Sequence, residues 1–318
     1  MQFWPHRRAA RRLPRVRSTP ALLKEPAIDN IVAFKAGMTR FTMVDDSESP
    51  SKQTEVNRPC TILEIPETEV FGIRLYSKDN VTKYKKTATE IYSKAIAAKI
   101  GIKKFKNDES KLESFKAKLG DYNDIAVLLV SYPKTLSTGQ NHINRFEAKV
   151  SGKDMEEKFN FATGLLGKRV GAKEVFKEGE FVDVASISTG KGWAGVIKRF
   201  GVARLNHKAT QKTRHVGTHG AFTPGKVLFG VPQSGQMGFN YRGERNKRIL
   251  KLGTKSDAAT VNVVAGFKNY GVIKNDFVML DGSIPGPSKR LVRIRKSIGN
   301  RNAKGIKEPK VTYIETMK

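Results

Sequence analysis

The chain has 318 residues, with 59 Lys and Arg against 30 Asp and Glu, for a formal net charge of +29. A free globular enzyme at that charge carries a cost in self-repulsion, whereas a protein that neutralises phosphates does not, because each contact releases condensed counterions. The lone cysteine, Cys60, excludes a disulfide framework and a multi-cysteine zinc site and fits a reducing cytoplasm; the longest strongly apolar run, Ile125–Val130, is far too short to span a bilayer.

In chain order, the first segment is MQFWPHRRAARRLPRVRS. It holds six arginines before the first acid, Glu25, and has no apolar core of the kind a secretory signal needs. Pro5, Pro14 and Pro20 break the amphipathic helix that a transit peptide requires. Residues 1–25 read as a basic arm, disordered when free and ordered against RNA. Ile31–Val44 is β-rich with an interruption at Gly37, which predicts two strand pieces, and Pro59–Ile65 and Val70–Tyr76 predict further strands. A helical block is expected next, with Ile91, Ala95, Ile96 and Ile100 on one face. A second helix is predicted near Asp108, with Ser110 and Glu113 in capping-box spacing, a stripe of Leu112, Phe115 and Leu119, and Gly120 as its C-cap. Ile125–Ser131 is a fully apolar strand, so residues 77–150 read as an inserted α/β subdomain. From Glu180 the pattern is β again: Phe181–Ser188, then Thr260–Ala265, Tyr270–Ile273 and Phe277–Leu280. Arg290–Ile294 alternates charge with apolarity, which would bury one face and offer the other to phosphate. The fold class expected is mainly β with an α/β insertion. Residues 26–76 and 180–310 would form a discontinuous β-barrel assembled from both ends of the chain.

From Val184 to Gly243 the chain runs 60 residues without Asp or Glu, while carrying nine Lys or Arg, three His and eleven Gly. Surfaces tuned for solubility intersperse both signs. Exclusion of one sign points to a partner that would repel it, and a nucleic-acid backbone is such a partner. Within residues 190–250, cations interleave with Trp193, Phe200, Phe222, Phe229, Phe239 and Tyr241. Cations can hold a backbone while rings stack on unpaired bases. Phe200 and Phe229 are expected to pack on the barrel instead, and Phe239 fits either role. Glycine at this density favours an extended loop that lets backbone approach RNA closely.

Three motifs invite enzymatic readings and fail on their chemistry. Gly190, Gly192 and Gly195 spell G-x-G-x-x-G, but no acidic residue for a ribose precedes Glu244, and Trp193 would crowd a pyrophosphate. Gly220–Lys226 approaches a phosphate-binding loop, but Val227 stands where a hydroxyl should hold magnesium, and Pro224 lacks an N–H. His215 and His219 have i,i+4 spacing without a nearby carboxylate, which suits base or backbone contact better than metal. No cofactor, metal or small-molecule substrate is expected, and no catalytic residue is assigned.

The stretch Ser188–Arg199, then Thr223–Val227, Gly235–Gly238 and the late run Val278–Pro287, resembles the universal large-subunit ribosomal protein three family. Phe3–Ala9 and the 77–150 insertion are similar to its archaeal and eukaryotic-type branch. The likeness spans nearly the whole chain, with its motifs in order. It implies a six-stranded translation-protein β-barrel with a long extended basic loop and a basic N-terminal arm. It also implies a cytoplasmic, structural role: binding 23S-type rRNA early in large-subunit assembly, beside neighbouring ribosomal proteins, with the loop directed toward the peptidyl transferase centre. The tip would lie at Ala221–Pro224, where Phe222 stands in place of the Trp or Gln frequent in relatives; stacking is kept and the N–H or amide bonds are lost. The residues expected to bind rRNA are Trp4, Arg7, Arg8, Arg11 and Arg12 of the arm. In the loop they are Lys191, Trp193, Lys198, Arg199, Arg204, His207, Lys208, Lys212, Arg214, His215, His219, Phe222, Lys226 and Gln236. Arg242, Arg245, Lys247 and Arg248 form a second cluster at its return. A transient RNA-modifying enzyme or assembly factor is the alternative, and tight residence in ribosomes would separate the two.

Overall fold

The computed structural model describes residues 7–16, 25–78, 85–102, 105, 107–209, 212–299, 302 and 305–316. Trp4 therefore lies outside the described residues. In chain order the elements are β1 (Ala27–Ile28), β2 (Asn30–Val44), β3 (Glu55–Ile65), β4 (Thr68–Lys78), β5 (Lys85–Tyr92), α1 (Lys94–Lys99), α2 (Leu112–Lys116), β6 (Asp124–Ser131), β7 (Asn144–Ser151), α3 (Met155–Leu165), α4 (Ala172–Val175), β8 (Phe181–Ile187), β9 (Trp193–Ala194), α5 (Val196–Phe200), β10 (Gly235–Gln236), β11 (Tyr241–Gly253), β12 (Asp276–Asp281), β13 (Leu291–Lys296) and β14 (Val311–Ile314). The fold is mainly β with short helices. The chain divides into two compact units: Met1–Arg12 with Ile187–Arg242, and Leu13–Ser186 with Gly243–Lys318.

The larger unit is built on two sheets. One has five strands in the order β1-β7-β6-β4-β5; the other has seven in the order β13-β8-β11-β12-β3-β2-β14, with β13 also paired to β2. The five-stranded sheet begins at Thr68 and takes in β1, so it reaches outside residues 77–150. Its centre is β6, DIAVLLVS, buried along nearly its whole length. Alternation sends Ile125, Val127 and Leu129 into the main core. Leu128 and Val130 point the other way, to a second cluster with Phe71, Ile96 and Ile100. Each fully buried aliphatic side chain of this kind contributes about 1.5–3 kcal/mol.

Several expectations are corrected. β2 is one 15-residue strand; the break at Gly37 is a register shift against β3, and a Cβ there would sit 2.6 Å from the Phe267 ring. Ile91 belongs to β5, opposite Ile73, and α1 starts only at Lys94, because β-branched residues of β5 pair with β4 before a helix can form. The helix expected near Asp108 is present but short: a 3₁₀ turn, Glu109–Lys111, leads into α2, whose Leu112 and Phe115 pack against the core, while Asp108 itself is not helical. That residue bridges to Tyr92 and pairs with Lys94 at 3.1 Å, which keeps it extended. Ser110 lies inside a short 3₁₀ turn without a side-chain cap, and Gly120 lies within another, Leu119–Asp121.

The strands expected at Thr260–Ala265 and Tyr270–Ile273 are turns. Val261, Val263, Tyr270 and Ile273 are buried. Side chains replace the ladder there: the Asn262 amide donates to the Ile273 carbonyl at 3.0 Å, and its Oδ1 accepts from the Ile273 N–H at 2.8 Å. Phe277–Leu280 is strand, within β12. The arginine face of β13 is not free for phosphate. Arg293 is buried, with Nε donating to Asn30 Oδ1 at 2.7 Å, and Arg295 pairs with Asp183 at 3.0 Å.

Asp29 is fully buried between β1 and β2. Its Oδ1 accepts from the Lys149 N–H at 2.9 Å and from the Asn30 amide. Burial outweighs these bonds and the nearby Arg293 and Lys149 charges and pushes its pKa up to about 6; Lys296 faces it as well. The folded state then holds a proton that the unfolded chain releases near 3.8. This contribution to stability is present at low pH and is lost as pH rises toward 6, an order of about 3 kcal/mol. Asp29→Asn should therefore gain on the native chain across that window. Urea unfolding of both at either end checks it, and a pH-independent difference would refute it.

Candidate nucleic-acid interface

The smaller unit contains no Asp or Glu at all. It carries Arg7, Arg8, Arg11 and Arg12 of the arm and nine cations of the loop, a net +13 in 68 residues. No cation can find a carboxylate within its own unit. Such an array persists only because its charges are spread over exposed surface.

The loop is tied at its base. The Lys191 N–H donates to the Met237 carbonyl at 2.9 Å, the Met237 N–H to Gly192 at 2.8 Å, and the Ser188 N–H to Asn240 at 2.9 Å. β9 pairs with β10 antiparallel, setting Trp193 opposite Gln236. Gly238 has φ +72°, and a Cβ there would meet the Thr189 carbonyl at 2.0 Å, so only glycine closes the base. The arm joins the same knot: the Ala9 N–H donates to Phe239 at 2.8 Å, and the Asn240 amide to the Arg7 carbonyl at 2.9 Å.

α5 follows and stops at Gly201, in the left-handed region. From Gly201 to Ser234 the described residues form no strand or helix and are mostly exposed. A bond of 3.1 Å from the Leu205 N–H to Thr213 pinches off one sub-loop. Lys191, Lys198, Arg204, His207, Lys208, Lys212, Arg214, His215, His219 and Lys226 are exposed, as are Arg7, Arg8, Arg11 and Arg12. Phe222 is 98% exposed and Trp193 78%. Phe229, expected to pack, is 82% exposed, because the loop has no core of its own to receive it. Phe200 is half-buried, under the Arg199 guanidinium at 5.0 Å.

Arg199 stands apart from the other cations. It is buried, and Nη1 donates to the Gln233 carbonyl at 2.8 Å; a Cβ on Gly235 would come within 2.9 Å of that nitrogen. Its place joins the two stems of the loop rather than the surface. Nothing in the sequence pattern marks this, since one charge in a basic run looks like the next.

At the loop's return, Arg245 is exposed and Lys247 pairs with Glu244 at 3.0 Å. Arg248 is engaged internally: Nη1 donates to Asp46 Oδ1 at 2.8 Å and Nη2 to the Lys307 carbonyl at 2.8 Å. The Arg248 guanidinium in turn holds the Asp46 carboxyl below the usual carboxylate range.

Burial pushes the Cys60 thiol up to about 12, which makes it a poor nucleophile at neutral pH. Among the described residues no group of three or more His, Cys, Asp or Glu is arranged to hold a metal ion, and no helix is long and apolar enough to cross a membrane.

Known proteins match the chain along its whole length. The family model of Ribosomal protein L3 covers residues 1–318. Large ribosomal subunit protein uL3 of Methanothermobacter thermautotrophicus is 40% identical over 99% of this chain and 94% of its own. The protein of the same name from Methanosphaera stadtmanae is 38% identical over 99% and 94%, and that from Methanocaldococcus jannaschii 39% over 99% and 95%. With full-length coverage at this identity, the chain belongs to the ribosomal protein L3 family.

Proposed function

We propose that this chain is a structural constituent of the large ribosomal subunit that binds 23S-type rRNA, nucleates early subunit assembly and is not itself a catalyst. The observation that carries the reading is the acid-free unit, whose exposed cations and rings match the needs of phosphate contact and base stacking. The names of its relatives, all large ribosomal subunit proteins, agree with it.

In this reading the larger unit is the scaffold. β13 pairs with both β8 and β2, so the strands β13, β8, β11, β12, β3 and β2 are read as a closed six-stranded barrel over residues 26–76 and 180–310. Residues 77–150 supply the α/β insertion, and residues 190–250 the rRNA-penetrating loop. The tied base holds the loop's entry while its length reaches into folded RNA toward the peptidyl transferase centre, a cytoplasmic site of RNA chemistry that Phe222 would only border. Neighbouring large-subunit proteins are its other partners.

The cations at the loop's return give a sharp test. Arg245→Gln should lower the slope of log K against log salt for rRNA binding by about one unit, whereas Arg248→Gln should change it by much less than one, because Asp46 already neutralises it. Filter binding of the full chain to deproteinised large-subunit rRNA across a salt series measures both. A slope near zero for the native chain would overturn the RNA reading; equal changes for both variants would overturn the division between them.

A further inference from the structure

Arg199 is a buried cation in a unit that contains no Asp or Glu. Only 5% of it is exposed, and its Nε has no hydrogen-bond partner among the described residues. A buried charge costs free energy unless something pairs with it. Here the compensation comes from the Gln233 carbonyl, 2.8 Å from Nη1, and from the Phe200 ring, 5.0 Å from the guanidinium. A cation at the surface would need neither, so this burial calls for a role of its own.

The side chain crosses from one stem of the loop to the other. Arg199 sits in the last turn of α5 on the outgoing stem, where its N–H donates to the Gly195 carbonyl at 3.0 Å and Gly201 closes the helix. Gln233 opens the returning stem, just before β10. Gly235 pairs with Ala194 across β9 and β10 and leaves room for the guanidinium: a Cβ there would come within 2.9 Å of Nη1 and 3.2 Å of Cζ. Beyond this clasp, from Gly201 to Ser234, the described residues form no strand or helix.

We propose that Arg199 is a positioning residue for rRNA: it clasps the two stems in the free chain, so that the loop meets RNA with its entry already set, and it touches no phosphate itself. The inference rests on the rRNA-binding reading above. Stems that are loose in the free chain must be ordered when RNA binds, and that ordering weakens association. The bound loop makes the same phosphate contacts either way, so the number of counterions released does not change. Arg199 therefore acts on the affinity and leaves the salt slope alone, whereas an exposed cation such as Lys198 acts on both.

Filter binding of the full chain to deproteinised large-subunit rRNA across a salt series tests this. Arg199→Met should weaken binding about tenfold, the equivalent of one lost charged hydrogen bond, with a slope within about half a unit of the native value. Gly235→Ala changes no charge, yet its Cβ displaces the guanidinium, so it should weaken binding by a similar factor. The double variant should bind no more than about twofold weaker than either single one, because both break the same clasp. Lys198→Gln is the reference, with a slope about one unit lower. The Arg199 and Gly235 variants should keep the native melting transition by circular dichroism, since the apolar core lies in the larger unit. A slope lowered by about one unit in Arg199→Met would make Arg199 a phosphate contact and overturn the proposal. So would an unchanged affinity in either single variant, losses that multiply in the double variant, or a lost melting transition. A slope near zero for the native chain would overturn the rRNA reading and this proposal with it.

Discussion

Replacing Arg204, Lys208, Lys212 and Arg214 together by Gln is expected to weaken rRNA binding about a thousandfold at roughly 0.1 M monovalent salt, while the salt slope falls by about three units. All four are exposed in a unit without a single carboxylate, so none has an ion pair inside that unit to lose. Each phosphate contact releases a little under one counterion, and four such releases set the magnitude. The knot at residues 188–194 and 235–240 uses backbone groups and Gly238, and the substitutions leave it untouched. The variant should therefore melt like the native chain and bind like a weaker one. Filter binding across a salt series separates these readings. A slope unchanged within half a unit of the native value, or a collapsed fold, would contradict the assignment of these cations to phosphate.

The second large effect lies in the scaffold. Glu64 is fully buried. Oε2 accepts from the Tyr270 hydroxyl at 2.6 Å, and Oε1 from the Lys274 N–H at 2.9 Å, the Asn275 N–H at 2.9 Å and the Asn275 amide at 2.8 Å. One carboxylate thus fixes the turn that carries Phe267 and Ile273 into the core. Burial and the Glu64 charge both push the Tyr270 hydroxyl well above the usual tyrosine range, so it remains a donor. Glu64→Ala would orphan several buried donors at once, at about 1–3 kcal/mol each, and the sum is about 3–6 kcal/mol. Glu64→Gln keeps one oxygen for the backbone donors and should lose less. Urea midpoints of the two variants measure this. A loss under about 1 kcal/mol for the Ala variant would mean the turn is held by other contacts.

Much of the proposed site is legible in the residues themselves because its signal is a charge count. The excluded sign from Val184 to Gly243 survives any arrangement of the backbone, and the glycines mark a segment that could not be a core. β6 and β12 are legible because continuous apolar runs bounded by turns have few alternatives. The failures share one physical origin. Ile91 and Ile96 match a helical period only if the backbone between them is helical, and pairing of β5 with β4 decides otherwise. The turns at 260–275 resemble strands because their apolar side chains are buried, but Asn262 satisfies the backbone of Ile273 and Glu64 that of Lys274 and Asn275 from the side. Arg199, Arg248 and Arg293 are indistinguishable from surface cations in a sequence. Only the placement of Gln233, Asp46 and Asn30 shows that their guanidinium groups are spent inside the protein.

The most direct measurement is a sucrose gradient of native lysate, run at low and at high monovalent salt and probed for this chain. Co-sedimentation with large subunits at both salts is the result the proposed function predicts, since a loop buried in folded rRNA, as proposed, could not leave without unfolding its surroundings. Release at high salt, or migration as free protein throughout, would contradict an integral place in the large subunit.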